Sequence, residues 1–403
     1  MKILLSAYAF EPNLGSESGN GWNWSYYLTL RGHEIHVMTR IQGKKNIEQE
    51  LSKHKIPNLY VHYIDIPQWS KPFLSGQIGV YLHYLLWQDQ AYKFAKTIAP
   101  TIDIIHHVTW GSLRGGSKLW KLDKPFVFGP IGGGQVAPRV FAKFFEKAWL
   151  KEALRTISIN NIKIFFPGVV KTIQNADIVL CCNKETLKVV QENKAKNSQL
   201  FLDAGLPLNF IPGSLPPRLK SERLNILWVG RVYPLKGLKL ALLALEKIRI
   251  PYKLSIVGNG PWGYKIPGWI KMFHLEKNVE WLGQLPWESL STFYSQSDVF
   301  LFTSIRESFG SQLLEAMAYG LPIITLDHFG ASSFVPVDAS IKIPVQSPNE
   351  TINSLTVALE EIWQNQERRI RMGEAAYDYA KSVTWDKKVV EIEKIYISLL
   401  SST

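Results

Sequence analysis

Short runs of β-branched and apolar residues, at 2–7, 34–38, 59–64, 103–106, 125–129, 177–181 and 199–203, alternate with longer amphipathic stretches. Strands buried on both faces read as near-continuous apolar runs, and strands separated by helix-length segments pair in parallel through crossovers. The series predicts a doubly wound α/β sheet. The rhythm stops between Gly205 and Pro217, where Pro and Gly punctuate without periodicity. It resumes at 225–230, 252–257, 279–282, 298–302 and 322–326, each run but the last leading into a helical stretch. Two Rossmann-like domains facing across a cleft follow from this, residues 1–205 and 206–385; the further expectation is a helix at 386–403 that packs back on the first.

Composition narrows the class. At 403 residues, with 46% apolar and 20% charged residues, the chain has material for two buried sheets and none of the signature of disorder. Only Cys181 and Cys182 occur, adjacent within an apolar run, which excludes a disulfide framework and a cysteine-based zinc cluster. The apolar run behind Met1 is too short for a signal peptide, and no stretch reaches the ~18 apolar residues of a membrane span. The expectation is a cytoplasmic protein. A net charge of +12 favours an anionic partner.

In α/β sheets of this kind ligands bind beyond the carboxyl ends of the strands. After the run 298–302 comes a loop with Glu307, then Phe309, Gly310, Ser311 and Gln312 opening a helix that contains Glu315. Unpaired N–H groups at such a helix start attract phosphate, and the two carboxylates bracket that position. Carboxylates accept hydroxyl pairs, so one suits a ribose diol and the other the vicinal hydroxyls of a sugar. The run 225–230 ends in Gly230 and Arg231, and Lys236 follows before the next helix. Both cations stand where they can stabilise charge on a departing diphosphate.

Gly230-Arg231 with Lys236-Gly237, the segment 256–261, Trp281-Leu282-Gly283, and Glu307 eight positions before Glu315 together resemble the nucleotide-sugar domain of the family-4 retaining glycosyltransferases, which have the GT-B fold. The spaced set covers about 225–336. The resemblance implies that 1–205 is the acceptor-side domain and 206–385 binds the nucleotide sugar. It further implies that Arg231 and Lys236 grip the diphosphate, Glu307 contacts the donor sugar and Glu315 holds the ribose. Gly283, Gln284 and Leu285 would meet the base through their backbone. UDP-sugars are favoured over GDP-sugars on the same ground.

In the first domain Gly15, Ser16 and Glu17 lie in a glycine-rich turn entering a helix, which in similar transferases closes on diphosphate and acceptor. His106 and His107 end a strand, placing an imidazole on the cleft side. Many relatives carry a histidine after the following strand; here that position falls in Gly132, Gly133 and Gly134. The catalytic substitute is then His106, His107 or a backbone amide of the glycine run. Lys143, Lys147, Lys151 and Arg155, four apart beside aromatic residues, suit an anionic membrane surface.

Gly258, Gly260 and Gly263, with Glu280 further on, formally match a dinucleotide fingerprint, but Pro261 and Pro267 make poor material for the helix it requires. No Asp-x-Asp pair occurs, so no metal and no cofactor is expected. The function expected is a retaining hexosyltransferase acting from a nucleoside-diphosphate sugar on a glycan or lipid-linked hydroxyl, in polysaccharide or glycolipid synthesis. It would work in the cytoplasm or at the inner face of the plasma membrane. A sugar-nucleotide epimerase of the same fold is the enzymatic alternative. A basic nucleic-acid-binding protein is the other class, but no RNA- or DNA-binding motif supports a nucleic-acid partner.

Overall fold

The computed structural model describes residues 1–73, 76–217 and 221–402. The chain divides into two compact units, Met1–Gly134 with Ser158–Gly205 and Trp385–Thr403, and Gln135–Ile157 with Leu206–Thr384. The chain passes between units beside the predicted breaks at 205 and 385. The departure is the segment Gln135–Ile157, expected in the first unit and packed in the second.

The first unit holds β1 (Lys2–Ser6), β2 (Glu34–Arg40), β3 (Leu59–Ile64), β4 (Ile104–His107), β5 (Phe126–Ile131), β6 (Ile178–Cys181) and β7 (Ser198–Leu200). They form one parallel sheet in the order β3-β2-β1-β4-β5-β6-β7. Alternate side chains feed opposite faces: Leu4, Ile105, Phe126 and Phe128 one apolar layer, Ile3, Leu5, Ile104 and Val127 the other. The helix Gly76–Ile98 covers the first layer with Tyr84, Trp87, Ala91 and Ala95. The helix Trp385–Ser401 covers the second with Trp385, Val389, Ile392 and Tyr396.

The second unit holds β8 (Leu224–Val229), β9 (Tyr252–Val257), β10 (Val279–Gly283), β11 (Val299–Phe302), β12 (Ile323–Leu326) and β13 (Ser340–Ile343), in the order β10-β9-β8-β11-β12-β13, also parallel. β11 and β12 are buried at every residue, as a strand covered on both sides must be. β13 escapes the sequence pattern because it is a half-buried edge strand of four residues carrying Ser340 and Lys342. Strand order reverses between β1 and β4 in one unit and between β8 and β11 in the other. A crevice opens at the carboxyl ends of such strand pairs.

Candidate functional site

In the second unit three strand ends are drawn together by backbone bonds. Gly230 N–H donates to Val257 O at 3.0 Å, Gly258 N–H to Gly283 O at 2.6 Å, and Trp281 Nε1 to Gly258 O at 2.9 Å. Gly258 adopts φ +127°, and a Cβ there would stand 2.0 Å from Gly230 O. Only glycine permits that approach. Beyond these ends lies a cavity of about 640 Å³ lined by Gly230, Arg231, Asn259, Gln284, Leu285 and Gln312. Arg231 is exposed there. The structure thus brings together the residues expected around a diphosphate and a base.

Lys236 and Glu307 meet as an ion pair, Nζ to Oε2, with side chains 15% and 25% exposed. Their loops are tied: Ile305 N–H and Arg306 N–H both donate to Leu235 O, at 2.7 and 3.2 Å. Gly237, at φ +67°, lets the turn after Lys236 lie against Thr303, whose carbonyl would be 2.0 Å from a Cβ. Thr303 Oγ1 donates back to Gly237 O at 3.0 Å. A cation from the β8 side and a carboxylate from the β11 side therefore face each other at the reversal of strand order.

Glu315 takes a more enclosed position. The helix Gln312–Ala318 starts at Gln312 with Ser311 before it, and Glu315 is 7% exposed. Trp287 Nε1 donates to Oε1 at 3.1 Å and Tyr294 OH to Oε2 at 2.8 Å. Burial raises its pKa, opposed by these two donors. Each oxygen keeps acceptor capacity for one further hydroxyl. Trp287 and Tyr294 escaped the sequence reading because nothing local links them to Glu315. Phe309 is a core side chain at 1% exposure, packed edge-on to Phe334.

The first unit corrects several expectations. His106 and His107 are fully buried rather than presented at a cleft. His106 has both ring nitrogens engaged, Nδ1 with Tyr396 OH and Nε2 with Gly129 O, each at 2.6 Å. His107 packs against Phe128 and edge-on to Tyr84. Burial lowers their pKa values to about 3 and about 4, so both stay neutral. The glycine run is also occupied: Gly132 N–H donates to Gly111 O at 2.8 Å and Gly134 N–H to Thr186 Oγ1 at 3.1 Å.

Gly15 precedes the helix Ser16–Leu30 with ordinary backbone angles and open space where a Cβ would lie. The glycines that this loop requires are Gly19 and Gly21, where a Cβ would meet Leu14 O at 1.8 Å and Ala9 O at 2.3 Å. They serve packing. Glu17 accepts from Gly111 N–H at 2.9 Å. Unanticipated groups cluster just past β1 and β2: Tyr8 OH bonds His83 Nδ1 at 3.0 Å, Gln42 Nε2 approaches His83 Nε2 at 3.1 Å, and the Arg40 guanidinium lies 5.1 Å from the Tyr8 ring.

The predicted row of four cations is also revised. The helix Ala142–Phe145 ends at Glu146, which has φ +49°, and a separate helix runs Ala148–Asn160. Arg155 turns inward, 9% exposed. The dinucleotide fingerprint lacks its helix: Gly263–Lys265 is a 3₁₀ turn, and Ile266–Met272 starts beyond the glycines. A larger groove of about 840 Å³, with Lys124, Asp177, Lys196 and Lys394 on its walls, lies at the amino ends of β5 to β7, away from the ligand side of that sheet.

Residues 216–379 match the family model for glycosyl transferases group 1. An uncharacterized glycosyltransferase of Methanocaldococcus jannaschii is 24% identical over 384 residues, 93% of this chain and 96% of its own length. The fold matches sucrose-phosphate synthase of Thermosynechococcus elongatus at TM-score 0.72, 16% identity and full coverage of both chains. It also matches Anabaena HepE, solved in complex with UDP and glucose, at TM-score 0.61 and 17% identity, again with full coverage of both.

Proposed function

We propose that the chain, which has the GT-B fold and matches the glycosyl transferases group 1 model over residues 216–379, transfers a sugar, with retention, from a nucleoside-diphosphate sugar to a hydroxyl of a glycan or lipid-linked acceptor. The observation that carries this is the Lys236–Glu307 pair at the β8/β11 reversal, together with the Arg231-lined cavity past the end of β8. Arg231 and Lys236 supply fixed positive charge to the diphosphate as the bond from phosphate oxygen to the anomeric carbon breaks. Glu307 accepts sugar hydroxyls, and Glu315, steadied by Trp287 and Tyr294, accepts from the ribose. The base lies along Gln284 and Leu285.

With His106 and His107 buried, front-face attack is favoured: the acceptor hydroxyl bonds to the anomeric carbon while its proton passes to the departing phosphate oxygen. Two cations make a metal unnecessary in this scheme. UDP is the favoured nucleotide, since the Anabaena protein of like fold carries it, with GDP second. The helix Ala148–Asn160 supports an anionic membrane as the acceptor's location: Leu150, Leu154 and Ile157 are 69%, 59% and 51% exposed, beside exposed Lys147 and Lys151.

Thermal shift against UDP- and GDP-sugars tests the core of the proposal. A donor at about 100 times its dissociation constant adds about 2.7 kcal/mol of stability. Absence of any shift across UDP-glucose, UDP-galactose, UDP-N-acetylglucosamine and GDP-mannose counts against it.

A further inference from the structure

The segment Gln135–Ile157 reaches the loop that carries Glu307. Its aromatic side chains Phe141 and Phe145 are buried in the same core as Trp228, Val232 and Leu238 of the second unit. Glu146 pairs with Lys265. Further along, Glu152 Oε1 lies 2.7 Å from Arg306 Nε and 3.7 Å from Arg155 Nη1, with the three side chains 7%, 16% and 9% exposed. Arg155 Nη1 donates to Gln135 O at 2.7 Å, and Gln135 Nε2 donates to Ser308 Oγ at 2.8 Å. The residues on either side of Glu307 are thus each gripped by this segment. The Arg306 backbone is also held by Leu235 O, and Glu307 itself by Lys236.

A carboxylate enclosed with two guanidiniums gains little net stability over an apolar replacement of the same shape, because desolvation offsets the Coulomb attraction. What such a cluster supplies is a defined geometry. A carboxylate meant to meet sugar hydroxyls must be held to within a fraction of an ångström by neighbours that are themselves fixed. Ion pairing at 306 and hydrogen bonding at 308 restrain a loop that has no regular secondary structure at those positions.

We propose that Glu152, Arg155 and Gln135 are positioning residues that set the Glu307 carboxylate for the donor sugar, acting through Arg306 and Ser308. The inference rests on the reading of Glu307 as the group that contacts that sugar. It assigns the crossover segment a part in donor recognition that is separate from nucleotide binding. Its restraints converge on 306 and 308, while Glu315 has its own donors in Trp287 and Tyr294.

The test compares full-length wild type with Glu152→Gln, Gln135→Ala and Glu307→Gln. UDP and GDP affinities are measured by calorimetry, and turnover is measured with whichever of UDP-glucose, UDP-galactose, UDP-N-acetylglucosamine or GDP-mannose stabilises wild type most. Glu152→Gln should lose turnover by about a hundredfold, the order that a 1 Å misplacement costs. Gln135→Ala, which removes the Ser308 contact and leaves the Glu152–Arg306 pair in place, should lose turnover as well, by less than Glu152→Gln. Both should bind the free nucleoside diphosphate within about twofold of wild type, since its contacts are untouched. A merely structural role would weaken nucleotide binding and turnover together. Wild-type turnover in both variants, with Glu307→Gln inactive, overturns the positioning role alone. Wild-type turnover in Glu307→Gln overturns the reading of Glu307, and the positioning role with it.

Discussion

At the scale of single residues, the proposed transfer rests on the two cations and Glu307. Removing one preorganised donor to a developing oxyanion commonly costs about 2.7–4 kcal/mol, a hundred- to thousandfold in kcat. Lys236→Ala and Arg231→Ala should each show a loss of that order, with kcat and kcat/KM falling together. Lys236→Ala should suffer more, because it also leaves Glu307 without its partner. If these side chains do the work of a metal, turnover should be the same after dialysis against EDTA. A requirement for added divalent cation would overturn that division of labour.

The buried imidazoles predict how stability follows pH. His106 and His107 have folded pKa values of about 3 and about 4, below the usual 6.5. For a depressed pKa the stability contribution is complete above 6.5, and it is lost as pH falls toward the folded values, because the unfolded chain takes up protons that the folded one refuses. At pH 5 each costs roughly 2 kcal/mol relative to neutral pH. The urea midpoint of the first unit, followed by hydrogen exchange in β4, should therefore fall between pH 7 and pH 5. His107→Leu should show a shallower decline, and an unchanged slope counts against the assignment. The same pair marks a limit of the sequence. A polar group at a strand end normally faces the ligand side, but His106 is met by Tyr396, which lies far along the chain. The placing of Lys236 and Glu307 at neighbouring strand ends was legible because each follows an apolar run and lies within a few residues of a glycine at positive φ, Gly237 and Gly310. Glu152 escaped the sequence reading, because its partner Arg306 lies in a distant loop.

At the scale of elements, the helix Ala148–Asn160 has two faces. Glu152 and Arg155 point into the second unit, while Leu150, Leu154 and Ile157 recur at helical spacing on the exposed side beside Lys147 and Lys151. Each lysine near an anionic surface is worth about 1 kcal/mol, and the attraction is screened within a Debye length. Liposomes containing anionic lipid should retain the protein at low salt and release most of it at 0.5 M. Leu150→Glu with Leu154→Glu should abolish retention without affecting UDP affinity. Equal binding to neutral liposomes would remove the electrostatic part of the idea. The periodicity of this helix was legible; its start was not. Glu146, at φ +49°, breaks the cation row, and no residue type there announces a break. β13 was missed for a related reason: an edge strand that carries Lys342 has the composition of a loop.

At the scale of the whole molecule, the end of the chain is part of the unit formed by its beginning. The helix Trp385–Ser401 buries Trp385, Val389, Ile392 and Tyr396 in the layer that contains Ile3, Leu5 and Trp24. Trp385 meets Trp24 edge-on at 5.3 Å, and Glu393 pairs with Arg31 at 2.9 Å and His33 at 2.6 Å. Four large apolar side chains at about 1.5–3 kcal/mol each represent roughly 6–12 kcal/mol of burial, comparable to the entire stability of an ordinary domain. A chain truncated after Thr384 should therefore fail to hold the first sheet: amides of β1 and β4 should lose hydrogen-exchange protection. The second unit keeps all its core residues in that truncation, so β8 and β11 should stay protected and UDP should still bind. Native protection in β1 after truncation would mean that Trp385 and its neighbours are dispensable. Joint loss of protection in both sheets would mean that the units do not fold separately.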